Sequence, residues 1–523
     1  MAGSAATSPR SVTLLPGSLA LYAATTCAML ASFMQVLDST ITNVAMPYMQ
    51  GSFQATLGEV TWVLTSYMVS AAIMTAPVGW LAGRFGRKRL FVLALVGFTT
   101  ASALAGAAQT LDQIVLFRVL QGASGAMLSP LSQSLMLDFY PVEQRGTIMS
   151  IWGMVVMIGP ILGPTLGGFL TENYNWRWVF YLNVPFGIIA SLGLFVLLPN
   201  DDRKEQGRFD MTGFGFFAVS IGALQFMLDR GTTKDWFSSS EIIVEATLAG
   251  VGAYLFLVQF FTKEETFIKR KVLKDRNFTS ALLMTFFISM TTFANSALLP
   301  PYLEELGGRP VLDVGFLMAP RGIGVMISML FVGRLVMRMD ARIPMAVGSA
   351  LICWSLWQMS HWTPAVSVFE VITNTVVRGI GNGMIFVSAN IMAFATLPGE
   401  LRTDGASVFN LLRNLGGSIG ISISQTVLAT NAQIVHASLA SEVTPFNRAL
   451  SVNAQSLLFN IRMPRGLTAL NAIVSRSAME TSYADTYHLM LLLSMLSMVM
   501  IALIPKPRPT LSSRGKSLEV SEG

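Results

Sequence analysis

Apolar runs long enough to cross a bilayer recur along the whole chain, separated by short polar stretches. A run of about 20 apolar residues spans the hydrocarbon core as a helix. Fourteen such windows are predicted, near 20–44, 60–82, 90–108, 113–136, 147–170, 178–198, 211–228, 242–261, 279–300, 314–336, 344–361, 366–395, 405–430 and 484–504. Pro300-Pro301 and Pro505 mark helix exits, because proline cannot donate to the helix ladder. The pattern predicts an all-α integral membrane protein with fourteen transmembrane helices, named here spans 1 to 14.

Composition agrees. Of 523 residues, 52% are hydrophobic and only 12% charged, against about 25% charged in soluble domains. Residues 1–18 are polar, and the first apolar run is too long for the core of a cleavable signal, so span 1 reads as a retained helix. Cys27 and Cys353 lie far apart in apolar runs and suggest neither a disulfide framework nor a metal site. With an even number of spans both termini share one side. That side collects Arg84, Arg87, Lys88, Arg89, Arg145, Arg203, Arg208, Arg334, Arg338, Arg342 and Arg402. By the positive-inside rule both termini are cytoplasmic. A long polar loop is expected on the other side at 431–483, with an apolar patch at Leu457-Leu458-Phe459.

The loops contain an internal echo. Gly83-Arg84-Phe85 after span 2 is matched by Gly333-Arg334-Leu335 after span 10. Glu143-Gln144-Arg145 before span 5 is matched by Glu400-Leu401-Arg402 before span 13. The offsets are 250 and 257 residues. Spans 1–6 therefore correspond to spans 9–14, with two helices inserted between two six-helix halves. The expected organisation is a tail at 1–19, a first half at 20–198, a linker with two inserted helices at 199–261, a second half at 262–504 that includes the 431–483 loop, and a tail at 505–523. Parallel halves of this kind pack around a central cavity and give alternating access by rocking.

Several residues carry candidate chemistry. Gly159, Gly163 and Gly167 repeat every four residues and line one helix face, where another backbone can approach. Pro160 and Pro164 should kink the same helix. A moving part and a static packing motif both fit this window. Asp38 lies within span 1, where a charge is costly and has a function or a partner. Burial favours the protonated form of a carboxylate and a nearby cation the ionised form, so an acid in a cavity of alternating access can carry a proton. The alternative is a structural Asp bonded to hydroxyls such as that of Thr42. Arg118 in span 4 is a fixed cation that either tunes a carboxylate or satisfies helix-end carbonyls. Arg378 in span 12 has a similar setting before Gly379, Gly381 and Gly383. Asn43, Asn410 and Arg413 are further cavity candidates. Arg413 and Arg321 also fit a snorkelling position near an interface.

Some chemistry is missing. There is no phosphate loop, no H-E-x-x-H or Cys-His cluster and no G-x-S-x-G elbow. No catalytic site, metal site or cofactor is expected, nor a nucleic-acid partner. Transport would draw on an ion gradient or run downhill.

The motifs in their order resemble those of the major facilitator superfamily. Gly79, Gly83, Arg84, Gly86, Arg87 and Lys88 stand in a stretch similar to its gating loop between spans 2 and 3. Arg118 with Gln121 and Gly122 resembles its span 4 signature. Gly159-Pro160 through Gly163-Pro164 to Gly167-Gly168 resembles its antiporter signature. Leu37 to Ala45 and Trp176 to Pro185 look like segments of its fourteen-helix drug:proton antiporter branch, the EmrB/QacA-like group. His436 to Leu439 and Thr444 to Asn447 resemble the outer loop of EmrB-like members. The resemblance implies proton-driven export of small hydrophobic compounds across a bacterial inner membrane. It further implies handover to a periplasmic adaptor and an outer-membrane channel. One departure is Gly83, where the family usually has an Asp that helps latch the closed state; Glu143 or a helix N-terminus is a candidate substitute.

The expected function is a proton-coupled exporter of hydrophobic drugs or toxic compounds, with Asp38 as proton carrier and Arg118 as its partner. Two alternatives keep the fold: a dedicated exporter of a metabolite, fatty acid or siderophore, and a transport-dead membrane sensor or scaffold. The sequence does not name the substrate.

Overall fold

The structure is a computed structural model that describes residues 19–199, 207–263, 266–336, 338–444 and 463–503. All regular structure among them is helical. The first group comprises α1 (Leu19–Phe53), α2 (Leu57–Thr75), α3 (Val78–Phe85), α4 (Arg87–Ala107), α5 (Leu111–Gly125), α6 (Leu128–Phe139), α7 (Val142–Asn173), α8 (Trp178–Tyr181) and α9 (Asn183–Leu197). A pair follows, α10 (Met211–Arg230) and α11 (Ser240–Thr262). The last group comprises the short α12 (Arg270–Lys274), then α13 (Arg276–Pro301), α14 (Val311–Met318), α15 (Pro320–Leu335), α16 (Arg342–Met359), α17 (Val368–Ala395), α18 (Arg402–Ser441) and α19 (Pro464–Leu503). Ten helices are long and apolar enough to cross a membrane, or twelve if each of two bent pairs is one span.

Local chemistry sets many boundaries. Thr56 and Glu59 form a reciprocal capping box at the start of α2, and Ser367 and Glu370 form another at the start of α17. Asp275 caps α13 by accepting from the Phe278 amide at 2.9 Å. Between α3 and α4 the chain turns on Gly86, whose φ of +86° favours a residue without a Cβ.

Two expected spans are less regular than the hydropathy pattern. The window at 60–82 is broken at Ala76-Pro77, and its two parts are bent by 61°. Pro77 removes a ladder donor without interrupting the apolar run, so the pattern did not register the break. The kink expected in span 5 is present: Val142–Pro160 and Thr165–Asn173 differ in direction by 41°. The expected loop at 431–483 needs correction. Residues up to Ser441 continue α18, and α19 already begins at Pro464. The hydropathy window stops where residues turn polar, but Ala, Gln, Leu and Ser sustain a helix beyond that point. Residues 445–462, with Leu457-Leu458-Phe459, lie outside the described residues.

Packing follows the groups. α1 lies against α7 and α9, while α2 and α4 both pack on α5. In the last group α13 packs on α18 and α19, and α17 takes α15 and α16. α10 and α11 pack on each other, and α10 also meets α2 and α18. The first and last groups meet chiefly through α6 on α18 and α7 on α15 and α17. Outward faces expose Phe195, Val196, Phe261 and Phe331. In a chain with this many apolar rods, such a surface is suited to hydrocarbon.

Candidate functional site

Asp38 and Arg118 meet inside the first group. Arg118 Nη1 lies 2.6 Å from Asp38 Oδ2, and both side chains are fully buried. The other carboxylate oxygen accepts from Gln121 Nε2 and from Asn183 Nδ2, each at 2.8 Å. Arg118 also donates to Gln121 Oε1 at 2.8 Å and to the Val63 carbonyl at 3.0 Å. Its guanidinium lies 4.2 Å from the centre of the Tyr67 ring. Burial of a charge is expensive unless a partner and hydrogen bonds compensate it; here both are supplied, with Arg118 Nη2 alone of the pair's polar atoms left without an acceptor. Gly122 is what lets the helices close. A Cβ there would stand 3.1 Å from Tyr67 Cα, so α5 and α2 touch backbone to backbone. Thr42 does not bond the carboxylate: its hydroxyl donates to the backbone carbonyl of Asp38 at 2.8 Å.

The helix that carries Asp38 rides on the glycine face of α7. A Cβ at Gly159 would lie 3.2 Å from the Leu37 amide nitrogen. One at Gly163 would lie 2.9 Å from Thr40 Cβ, and one at Gly167 3.1 Å from the Ile41 carbonyl oxygen. Thr40 Oγ1 also donates across to the Gly159 carbonyl at 3.4 Å. Gly168 faces open space and Pro160 is exposed, so neither joins the contact.

The second group holds the other candidates. Arg378 is buried and donates to the Thr291 carbonyl at 3.0 Å, with the Met359 sulfur 3.8 Å away. Arg321 donates to Ser296 Oγ at 2.6 Å. Arg413 lines an internal cavity of about 70 Å³ between α13, α17 and α18, with Met157 of α7 also in its wall. Asn410 is buried and donates to Gln133 Oε1 at 2.9 Å, and Gln133 donates in turn to Asn390. Asn43 is exposed on α1, away from this cavity.

The two groups are joined at one end. Side-chain hydrogen bonds between the two groups gather on α6, through Gln133, Ser134, Leu137 and Asp138. Asp138 of α6 pairs with both Arg87 and Arg402. Thr403 donates to Ser134 at 3.3 Å. Asp404 sits over Gly79, where a Cβ would stand 2.8 Å from Asp404 Cα. The Asp404 carboxylate is 3.1 Å from Lys269 Nζ. Gly83 is half-buried on α3, Arg84 is exposed, and Lys88 Nζ lies 5.6 Å from the centre of the Phe195 ring. Glu143, considered in place of the missing Asp, is exposed; Asp138 and Asp404 are ion-paired acids at this junction.

Sequence reading found Asp38, Arg118 and Gln121 but missed Asn183, Gln133, Asn390, Asp138 and Asp404. Asn183, Gln133 and Asn390 share one available signal, a polar side chain inside an apolar window.

Residues 28–421 match the family model described as Major Facilitator Superfamily. Multidrug export protein EmrB of Escherichia coli (strain K12) is 36% identical over 431 residues, 82% of this chain and 83% of that protein. Fatty acid resistance protein FarB of Neisseria gonorrhoeae is 33% identical over 429 residues, 82% and 85% of the two chains. The human organic anion transporter MFSD10 shares the fold at a TM-score of 0.59 and 12% identity, with 92% of this chain and 99% of that one covered. The chain belongs to the major facilitator superfamily and stands among its EmrB-like members.

Proposed function

We propose that this chain is a proton-coupled antiporter that exports hydrophobic drugs or other toxic compounds across a bacterial inner membrane. The observation that carries the reading is the fully buried Asp38–Arg118 pair with its two amide donors. Relatives named for multidrug export and resistance support the choice of cargo. On this reading fourteen helices span the membrane: the twelve apolar ones plus α16 and α18, which are less apolar but run beside them. The two six-helix halves flank the inserted pair α10–α11, both termini are cytoplasmic, and the junction at Asp138 is the closed inner gate.

The chemistry follows from the pair. When the cleft faces outward, a proton on Asp38 cancels its charge and weakens the bonds from Arg118, Gln121 and Asn183. These bonds tie α1 to α5 and α9, so protonation loosens the first half against itself. Opening of the inner gate lets the proton leave, and the ionised carboxylate restores the pair. The substrate moves the other way through the cleft. The helical extensions of α18 and α19 beyond the apolar band offer a surface to a periplasmic adaptor, which would pass substrate to an outer-membrane channel.

Proteoliposomes test the reading. Wild-type protein should release protons when a drug panel is added, and Asp38→Asn should bring uphill efflux to background at normal protein levels. Full activity of Asp38→Asn would end it.

A further inference from the structure

The last helix group carries three arginines turned into the protein, Arg321 on α15, Arg378 on α17 and Arg413 on α18. Among the described residues none of them is ion-paired with a carboxylate. Arg413 lines the internal cavity, and its Nε is buried with no acceptor. Asn382 lines the same cavity and is only 9% exposed. Its Oδ1 accepts from Thr292 at 3.1 Å, while its Nδ2 has no acceptor. Both orphan groups at this cavity are therefore donors, and one belongs to a cation. A buried donor without an acceptor carries an uncompensated desolvation cost. An acceptor would satisfy both, and one with negative charge would also offset the cation.

The protein does not supply it. The carboxylate of Asp38 is already held by Arg118, Gln121 and Asn183. The remaining walls are mainly apolar, with Ile288, Phe293, Phe386 and Phe409. A guanidinium matches a carboxylate in plane and in charge. The cavity of about 70 Å³ admits a head group in this conformation, well below the roughly 300–1,000 Å³ of sites for drug-sized ligands. The body of such a ligand would extend towards Met157 on the facing half.

We infer that this cavity takes the ionised acid group of an otherwise apolar compound, with Arg413 and Asn382 donating to its oxygens. The inference rests on the export reading and narrows its cargo to amphipathic organic acids.

The test compares 1-pyrenebutyric acid with its methyl ester, which shares the apolar body and lacks the charge. Binding to the purified full-length protein is read by pyrene fluorescence. The acid should bind about 10- to 100-fold more tightly than the ester, the range of one charge-assisted hydrogen bond. Arg413→Gln should bring that ratio close to one, and Arg413→Lys should keep part of it. Equal binding of acid and ester by the wild-type protein, or a ratio unchanged in Arg413→Gln, overturns the inference. The wild-type ratio decides the matter even if the variant does not fold. Proton release in liposomes separates the two readings. A preference for the acid without proton release removes the export reading and leaves the site. Proton release driven by the ester as well as by the acid, with no binding preference, removes the site and leaves export.

Discussion

Arg118 and Arg378 occupy similar seats in the two halves. Each lies in mid-helix, is buried, and precedes glycines that bring a neighbouring backbone close. Gly122 admits the backbone of Tyr67, and Gly379 admits that of Arg321. Each arginine also reaches the helix that opens its half: Arg118 reaches Asp38 on α1, and Arg378 reaches Thr291 on α13. The partners differ. Asp38 offers a carboxylate, whereas Thr291 offers only its carbonyl. The backbone that seats a buried cation is thus common to both halves, and a carboxylate partner for that cation is present in one. The first half holds a neutralised pair, and the second keeps a standing positive charge.

The comparison breaks most visibly at the arginines. Arg118→Leu leaves Asp38 buried without its cation and should cost about 3–5 kcal/mol. Arg378→Leu removes a charge that has no acid to lose, so its cost should be far smaller. Thermal unfolding of the two purified variants measures both, and equal losses would erase the distinction between the halves. The next effect concerns what the halves share. Gly163→Val drives a methyl group towards Thr40, and Gly420→Val drives one into the Met290 backbone. Both should destabilise by about 1–3 kcal/mol, the usual range for overpacking. A large loss in one half and none in the other would show that the glycine contacts are not equivalent. The smallest effect comes from making the halves more alike. Thr291→Asp puts a carboxylate on the residue that Arg378 already holds. It should change stability by about 1 kcal/mol or less, as repaid burial allows, and raise the number of protons released per substrate. An unchanged proton count would mean that Arg378 is not open to the same coupling.

Much of this was legible in the chain. Apolar runs gave the helices because their length must match the bilayer. Asp38 and Arg118 stood out because a charge in such a run demands a partner, and the structure brings these two together. The glycine spacing predicted a close helix contact, and α1 fills it. Other features left no such mark. Asp138 and Asp404 lie where helices emerge, and acids there look like ordinary solvated caps until another half closes on them. Arg413 fitted both a cavity wall and a snorkelling position because hydropathy reports depth and not direction. The outer parts of α18 and α19 read as loop because they are polar, although polarity does not end a helix.

The contact between α1 and α7 also bears on how such a pump can diversify. Gly163 is closed to larger residues by space alone, Gly159 and Gly167 leave room for a Cβ only if their neighbours shift, and each meets the helix that carries Asp38. On the proposed mechanism, a side chain gained there presses on the helix of the proposed proton carrier before it can affect cargo. On the same reading, selection for new substrates is pushed off the α1–α7 seam and onto cavity walls such as Phe293 and Phe386, where a change of shape leaves Asp38 and Arg118 untouched. The engine and the cargo hold can then vary at separate rates within one gene.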